Sequence, residues 1–262
     1  MRLDQLLVKL SLAPSRAKAQ ELIRQGEVEV FERGVWDTVT SVSHPIREGG
    51  VVPPARLKSR ESLRFVSRGG LKLMAALEQL EMKPEALTVL DLGQSTGGFT
   101  DCLLQSGAEQ VVGVDVGHGQ LAEKLKVDPR VKSFEGLHIK DISQHKEFLK
   151  HCPPSGFALA VMDLAFISLP KALPWVTPLI RSPGGHLLAL VKPQFEVGAD
   201  HLNKKGVVKD DRLYSLVEVN IKESLKDQGF QVKAYFESSV LGQEGNQEFF
   251  VYAEKCGDGQ FG

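Results

Sequence analysis

The sequence predicts an α/β protein: a mostly parallel, open sheet with helices on both faces, preceded by a small α+β domain. Three observations carry the prediction. Short apolar runs at Leu87–Leu92, Val111–Val114, Phe157–Met162 and His186–Val191 read as buried strands, with helix-forming stretches between them. The first run passes through Gly93–Gly98, a loop rich in Gly, Ser and Thr, into a helix opening near Thr100 and Asp101. That join is how an open sheet builds a ligand site at the carboxyl ends of its strands. Residues 1–72 carry 13 Lys+Arg against 8 Asp+Glu, and the rest carries 19 against 25. A basic head on an acidic body suggests that the head meets a polyanion.

Bulk composition narrows the class. The chain has 262 residues, 42% hydrophobic and 25% charged, which suits a globular protein with one large domain and a small module. No apolar run reaches the roughly eighteen residues of a membrane span. The N-terminus carries Asp4 and lacks a long apolar core, so it does not read as a signal peptide. Cys102, Cys152 and Cys256 have neither metal-like nor disulfide-like spacing. No metal is expected, and a reducing, cytoplasmic setting is.

In chain order, Leu3, Leu6, Leu7 and Leu10 lie at helical spacing within Arg2–Leu12. Ala13-Pro14-Ser15 breaks that helix, and Ser15 is placed to cap a second one, Arg16–Gln25, closed by Gly26. Ala17, Ala19, Leu22 and Ile23 supply its packing side, leaving Arg16, Lys18 and Arg24 to solvent. Glu27–Phe31 and Thr38–Val42 alternate like strands, and Val51-Val52 suggests a third. Arg2-Leu3-Asp4, Ser15-Arg16-x-Lys18-Ala19 and Ile23-x-x-Gly26-x-Val28-x-Val30 resemble the small RNA-binding domain named after ribosomal small-subunit protein four. The resemblance implies RNA contacts at Arg2, Arg16, Lys18 and Arg24. Where that family continues Val-Asn-Gly, this chain has Val30-Phe31-Glu32-Arg33-Gly34, and Glu27, Glu29 and Glu32 thin the basic face. Shape and phosphate contacts are therefore expected more than base readout. This domain covers residues 1–60, with a linker at about 53–62 around Pro53-Pro54.

The large domain, residues 63–254, opens with Ser67-Arg68-Gly69-Gly70 before a helix, Leu71–Leu80, with Lys72 in its first turn. A cation at a helix N-terminus is electrostatically unfavourable. The glycines of Gly93-Gln94-Ser95-Thr96-Gly97-Gly98 allow close backbone approach to a ligand. Neither a dinucleotide fingerprint nor a phosphate loop is present, which favours S-adenosylmethionine over NAD. Asp115, ending the second strand, is placed to accept from ribose hydroxyls. Asp163 and Lys192 each end a buried strand, where open sheets hold ligands. A helix, about Arg212–Gln228, leads to a hairpin of Phe230–Phe236 and Glu248–Ala253, and residues 255–262 read as a disordered tail.

Almost the whole chain resembles the TlyA family, known both as haemolysins and as rRNA 2′-O-methyltransferases. The markers are Ser67-Arg68-Gly69-Gly70-Leu71-Lys72-Leu73, Ser95-Thr96-Gly97-Gly98-Phe99-Thr100-Asp101, Gly113-Val114-Asp115-Val116-Gly117, Met162–Leu169, Leu190-Val191-Lys192-Pro193-Gln194-Phe195-Glu196 and Gly245-Asn246-Gln247-Glu248. The resemblance implies a Rossmann-like methyltransferase sheet similar to that of the FtsJ enzymes, rRNA or ribosomal subunits as partner, and cytidine as the methylated nucleotide. It also implies a catalytic tetrad, Lys72, Asp163, Lys192 and Glu248. The donor S-adenosylmethionine would be held by Asp91, Gly93, Ser95, Thr96, Gly97, Gly98, Phe99, Asp115 and Asp163. Gln94 replaces the usual Ala, Leu164-Ala165 replaces Val-Ser, and Glu135-Gly136-Leu137-His138 replaces a segment that usually contains Asn.

The implied chemistry accounts for such a tetrad. A ribose hydroxyl is a weak nucleophile that must attack a sulfonium methyl in line, so positioning supplies much of the rate. An amine accepts the hydroxyl proton when burial and a second cation disfavour its charge. That places Lys192 at the hydroxyl, with Lys72 as its electrostatic partner and the two acids holding both in register. Two other classes stay open: a membrane-active haemolysin, and an RNA-binding ribosome-assembly factor without catalysis.

Overall fold

Leu3, Leu6 and Leu7 lie on one face of α1 (Leu3–Lys9) and are fully buried or nearly so. The computed structural model describes residues 1–46, 53–59, 63–242 and 245–257, and the chain divides into two units, Met1–Ser67 and Arg68–Gly262. In the first unit α1 packs against α2 (Arg16–Arg24), whose N-cap Ser15 accepts a hydrogen bond from the Lys18 backbone. The first helix is shorter than its spacing implied, and Leu10 is exposed. Strand β1 (Val28–Glu32) turns directly into β2 (Val35–Thr38), because Arg33 and Gly34 both take positive φ, 52° and 86°. Two left-handed residues make the tight turn that matches strand twist. This moves the second strand earlier than the expected Thr38–Val42. The expected linker is corrected too: Ala55–Leu57 is a strand, β3, antiparallel to β1, so the sheet runs β2-β1-β3. Val28 and Val30 point into the core that β3 helps close. The expected third strand at Val51-Val52 lies outside the described residues.

The second unit is a seven-stranded sheet in the order β6-β5-β4-β7-β8-β10-β9. Its strands are β4 (Thr88–Leu92), β5 (Gln110–Asp115), β6 (Val131–Glu135), β7 (Leu159–Met162), β8 (His186–Val191), β9 (Phe230–Glu237) and β10 (Phe249–Lys255). The first five are parallel, and β10 enters antiparallel between β8 and β9. Crossing from β5 to β4 to β7 reverses the direction in which the sheet grows, and open sheets bind ligands at such a point. Alternation sorts the strands between two helical layers. Leu90, Val112, Ala160 and Leu187 share one core with α7 (Leu169–Val176) and α8 (Arg212–Asp227). On the other face α3 (Gly69–Gln79) packs on α4 (Gly98–Gln105), and Phe99 of α4 stacks on Phe250 of β10. Short helices α5 (Glu123–Lys126) and α6 (Lys146–Leu149) complete the α-helices of this unit among the described residues.

The expected tail begins too early. Lys255 is the last residue of β10, and the Cys256 N–H donates to the Gly229 carbonyl; residues 258–262 lie outside the described residues. Among the described residues no helix is long and apolar enough to cross a membrane.

Candidate active site

The four candidate catalytic residues come from four elements and meet at the carboxyl ends of β7 and β8. Asp163 follows β7 and Lys192 follows β8, its neighbour in the sheet. Phe249 pairs with Val191, so one residue further on each strand Glu248 lies across from Lys192. Lys72, the fourth residue of α3, reaches in from the side. The residues form two ion pairs: Lys72 Nζ to Glu248 Oε2 at 2.5 Å and Lys192 Nζ to Asp163 Oδ1 at 2.5 Å. The Lys72 and Glu248 side chains are 9% and 3% exposed, against 15% and 23% for Lys192 and Asp163. The first pair is a buried support, and the second is partly buried but more open to solvent. Asp163 Oδ1 has charge contact without hydrogen-bond alignment.

The Lys72–Glu248 pair is braced from both sides. Arg68 donates to the Leu241 carbonyl at 2.8 Å, and the Gly242 N–H donates to the Asn246 carbonyl at 2.8 Å. A Cβ on Gly242 would sit 2.6 Å from Glu248 Oε1. An alanine there would require that carboxylate to shift, a constraint that no local pattern around Gly242 announced.

The glycine loop adjoins this group, and two of its glycines are required by neighbouring protein atoms. Gly93 (φ +83°) and Gly97 (φ +91°) are left-handed, and added Cβ atoms would meet the Asp163 carbonyl at 2.4 Å and Leu125 Cδ1 at 2.3 Å. Their immediate neighbours are thus protein atoms. Gly97 caps α4, which starts at Gly98, earlier than Thr100. Asp115 uses both oxygens to hold the loop, accepting from the Ser95 N–H at 2.8 Å and the Gly117 N–H at 2.6 Å. Phe99 is 3% exposed and turned onto Phe250, so its ring is a packing group. Ser95 and Thr96 are exposed at the loop tip.

Beneath the loop lies a polar chain. Ser133 donates to Gln94 at 2.6 Å, Gln94 to Thr100 at 2.9 Å, and Thr100 to Asp91 Oδ2 at 2.6 Å. Gln94 occupies the space over Gly113. Burial pushes the Asp91 carboxyl up to about 7; the Thr100 hydrogen bond opposes this, and the charges of Asp163 and Asp115 reinforce it. Asp91 Oδ1 is buried without a hydrogen-bond partner among the described residues. Three carboxylates at adjacent strand ends, with no Lys or Arg among residues 93–99, fit a ligand bearing a sulfonium, an ammonium and ribose hydroxyls. That set fits S-adenosylmethionine and does not fit a polyphosphate.

Two residues missed in the sequence stand beside Lys192 and Asp163. Phe166 is left-handed (φ +65°) and 91% exposed, with its ring 5.3 Å from that of Phe195. Glu196 accepts from the Leu169 N–H at 2.8 Å, tying the loop after β7 to the loop after β8. Burial raises its carboxyl to about 6, against the Leu169 hydrogen bond and the Lys171 charge. Both residues line a cavity of about 450 Å³.

The head places its four candidates unequally. Asp4, fully buried, accepts from Arg16 at 3.1 Å and Gln20 at 2.7 Å and lies 3.3 Å from Arg2. Burial would raise its carboxyl, but those hydrogen bonds and the Arg2 and Arg16 charges hold it below the ordinary value. Arg2 and Arg16 are therefore partly neutralised, though half-exposed. Lys18 is 7% exposed and donates to Glu21 and the Val66 carbonyl. It is a packing cation rather than a solvent-facing one, and Ala17 takes the exposed position instead. Arg24 is exposed as expected.

Comparison with known proteins agrees with this architecture. Residues 65–255 match the FtsJ-like methyltransferase family, and residues 1–30 match the S4 domain. "Hemolysin A" of Brachyspira hyodysenteriae is 36% identical, covering 96% of this chain and 99% of its own. "16S/23S rRNA (cytidine-2′-O)-methyltransferase TlyA" of Mycobacterium tuberculosis is 35% identical, covering 96% and 88%. A solved, hemolysin-named protein of Streptococcus thermophilus is 34% identical with a TM-score of 0.71, covering 100% of this chain and 92% of its own. The donor expectation, S-adenosylmethionine, stands with these matches. The chain belongs to the TlyA family: an FtsJ-like methyltransferase domain preceded by an S4 domain.

Proposed function

We propose that this protein transfers a methyl group from S-adenosylmethionine to a ribose 2′-hydroxyl of ribosomal RNA, on cytidine. The observation that carries the reading is the partly exposed Lys192–Asp163 pair, backed by the buried Lys72–Glu248 pair beside a carboxylate-rich donor site. The relatives of Mycobacterium tuberculosis and Campylobacter jejuni bear cytidine-2′-O-methyltransferase names, which supports the nucleotide.

S-adenosylmethionine, when bound, supplies an electrophilic methyl group. Lys192 orients the ribose hydroxyl and takes its proton as the oxygen–carbon bond forms. Asp163 orients the Lys192 amine and pairs with the ammonium that forms when the amine takes the proton. Lys72, fixed by Glu248, adds a second positive charge that favours the oxyanion developing on the ribose. Phe166, exposed three residues after Asp163, offers a face on which a base can stack.

The test is Lys192→Ala and Lys192→Arg in single-turnover methylation of ribosomal subunits at saturating donor and RNA. Lys192→Ala should lower the rate about a hundredfold or more, the range for a positioned acid–base group. Lys192→Arg should not rescue it, because arginine keeps its proton. A substantially active Arg variant would overturn the proton-accepting role.

A further inference from the structure

A second basic feature lies on the large domain. Residues 201–209 contain His201, Lys204, Lys205 and Lys209 and no acid, within a body of 19 Lys+Arg against 25 Asp+Glu over residues 73–262. The segment is a built hairpin. Leu202 and Val208 form an antiparallel bridge, and the Asn203 N–H donates to the Val207 carbonyl at 2.8 Å. The Asn203 side chain accepts from the Lys205 and Val207 N–H groups at 2.8 and 3.1 Å. Lys204 and Lys205 stand exposed at its tip, and neither ammonium has an acidic partner among the described residues. The nearest following acid, Asp210, is engaged by Arg212 at 2.7 Å.

This hairpin is pinned to the candidate active site. Asn246, 3% exposed, accepts from the Val208 N–H at 3.1 Å and donates to the Gly206 carbonyl at 3.0 Å. It reads the hairpin backbone as a neighbouring strand would, and it lies two residues before Glu248. The tip offers cations without a carboxylate or aromatic ring for reading a base, and the Asn203 amide oxygen is already engaged by the hairpin backbone. Such a surface positions a nucleic acid through its phosphates.

We propose that the 202–208 hairpin is a phosphate-binding site for the backbone of the RNA substrate. Lys204 and Lys205 are its contacts, and Asn246 is the positioning residue that holds it beside Glu248. The inference rests on the reading that the substrate is RNA, and it adds a site independent of the head. Two cations close to the reacting end of the sheet fix the register of the strand whose ribose is methylated.

The experiment uses the full chain with purified ribosomal subunits. Lys204→Ala/Lys205→Ala should raise KM for subunits at least tenfold, with little change in kcat at saturation and none in donor affinity. The slope of log affinity against log salt, measured by binding alone, should shrink by about 1.4–1.8, the value for two lost phosphate contacts. Lys204→Arg/Lys205→Arg should restore both quantities, since arginine holds phosphate as well. Asn246→Ala should raise KM similarly but add little in the Lys204→Ala/Lys205→Ala background, because both changes act through one element. Unchanged KM and salt slope in the double alanine variant would overturn the hairpin site while leaving the proposed reaction standing. A reduced slope in the double alanine variant, together with a wild-type protein that transfers no methyl group, would overturn the reaction and leave the hairpin site standing.

Discussion

Lys72 and Glu248 meet with Nζ and Oε2 2.5 Å apart although 176 residues separate them in the chain. A lysine near the start of a helix is at the unfavourable end of the dipole, and one that is 7% exposed also loses its water. The carboxylate, itself 3% exposed, offsets both costs. Removing one partner of such a buried pair leaves an uncompensated charge, so each residue depends on the other.

Gly242→Ala should therefore injure catalysis without replacing a candidate catalytic residue. Its Cβ would lie 2.6 Å from Glu248 Oε1, and displacements of that kind cost roughly ten- to a hundredfold in rate. Methylation rates should fall while donor affinity, read by calorimetry, stays near wild type. A fully active Gly242→Ala enzyme would show that the position of Glu248 does not matter.

Asp91 makes stability depend on pH in the direction opposite to most acids. Its folded value is raised from 3.8 to about 7. Its contribution is therefore fully present below about pH 3.8 and is lost as pH rises through about 7. Wild-type Tm should fall more steeply than that of Asp91→Asn across this window. A cationic donor favours the ionised carboxylate, so donor affinity should strengthen as pH rises through about 7 in the wild type and flatten in Asp91→Asn. Parallel pH profiles for both proteins would remove Asp91 from the donor site.

Asp115→Ala should weaken donor binding by about 1–3 kcal/mol, the scale of a lost hydrogen bond to a charged group. Asp115 also holds the Ser95 and Gly117 N–H groups, so the substitution also loosens the loop. Asp115→Asn keeps one acceptor and should fall in between. Calorimetry with S-adenosylmethionine and with NAD tests this; NAD binding with unchanged donor affinity would contradict the cofactor assignment.

On the head, Arg24→Ala and Lys18→Ala should differ in kind. Arg24 is exposed, so its loss should weaken RNA binding, reduce the salt slope by about 1 and leave Tm unchanged. Lys18 packs against Glu21 and the Val66 carbonyl, so its loss should lower Tm first. Equal effects on RNA affinity at constant Tm would place Lys18 on the RNA surface after all.

The sequence by itself determined the elements and the residue types at their ends. Apolar runs are local signals, so β4, β7 and β8 and the terminal Asp163 and Lys192 were legible, as were the Ser15 cap and the leucine face of α1. The reading faltered where backbone conformation or packing decides. Nothing in the order of residues announces that Arg33 is left-handed, so β2 was placed too late, and Ala55–Leu57 looked like linker because pairing with β1 is a non-local event. Helical spacing left Lys18 to solvent, but its neighbours across the fold bury it. Motif resemblance brought Lys72 and Glu248 onto the same short roster; only the tertiary structure made them partners, packed Gly242 against the carboxylate, exposed Phe166 and pinned the lysine hairpin to Asn246. Strand and helix signals are carried by residues a few positions apart, whereas charge pairing and close contact depend on distances that exist only once the chain has folded.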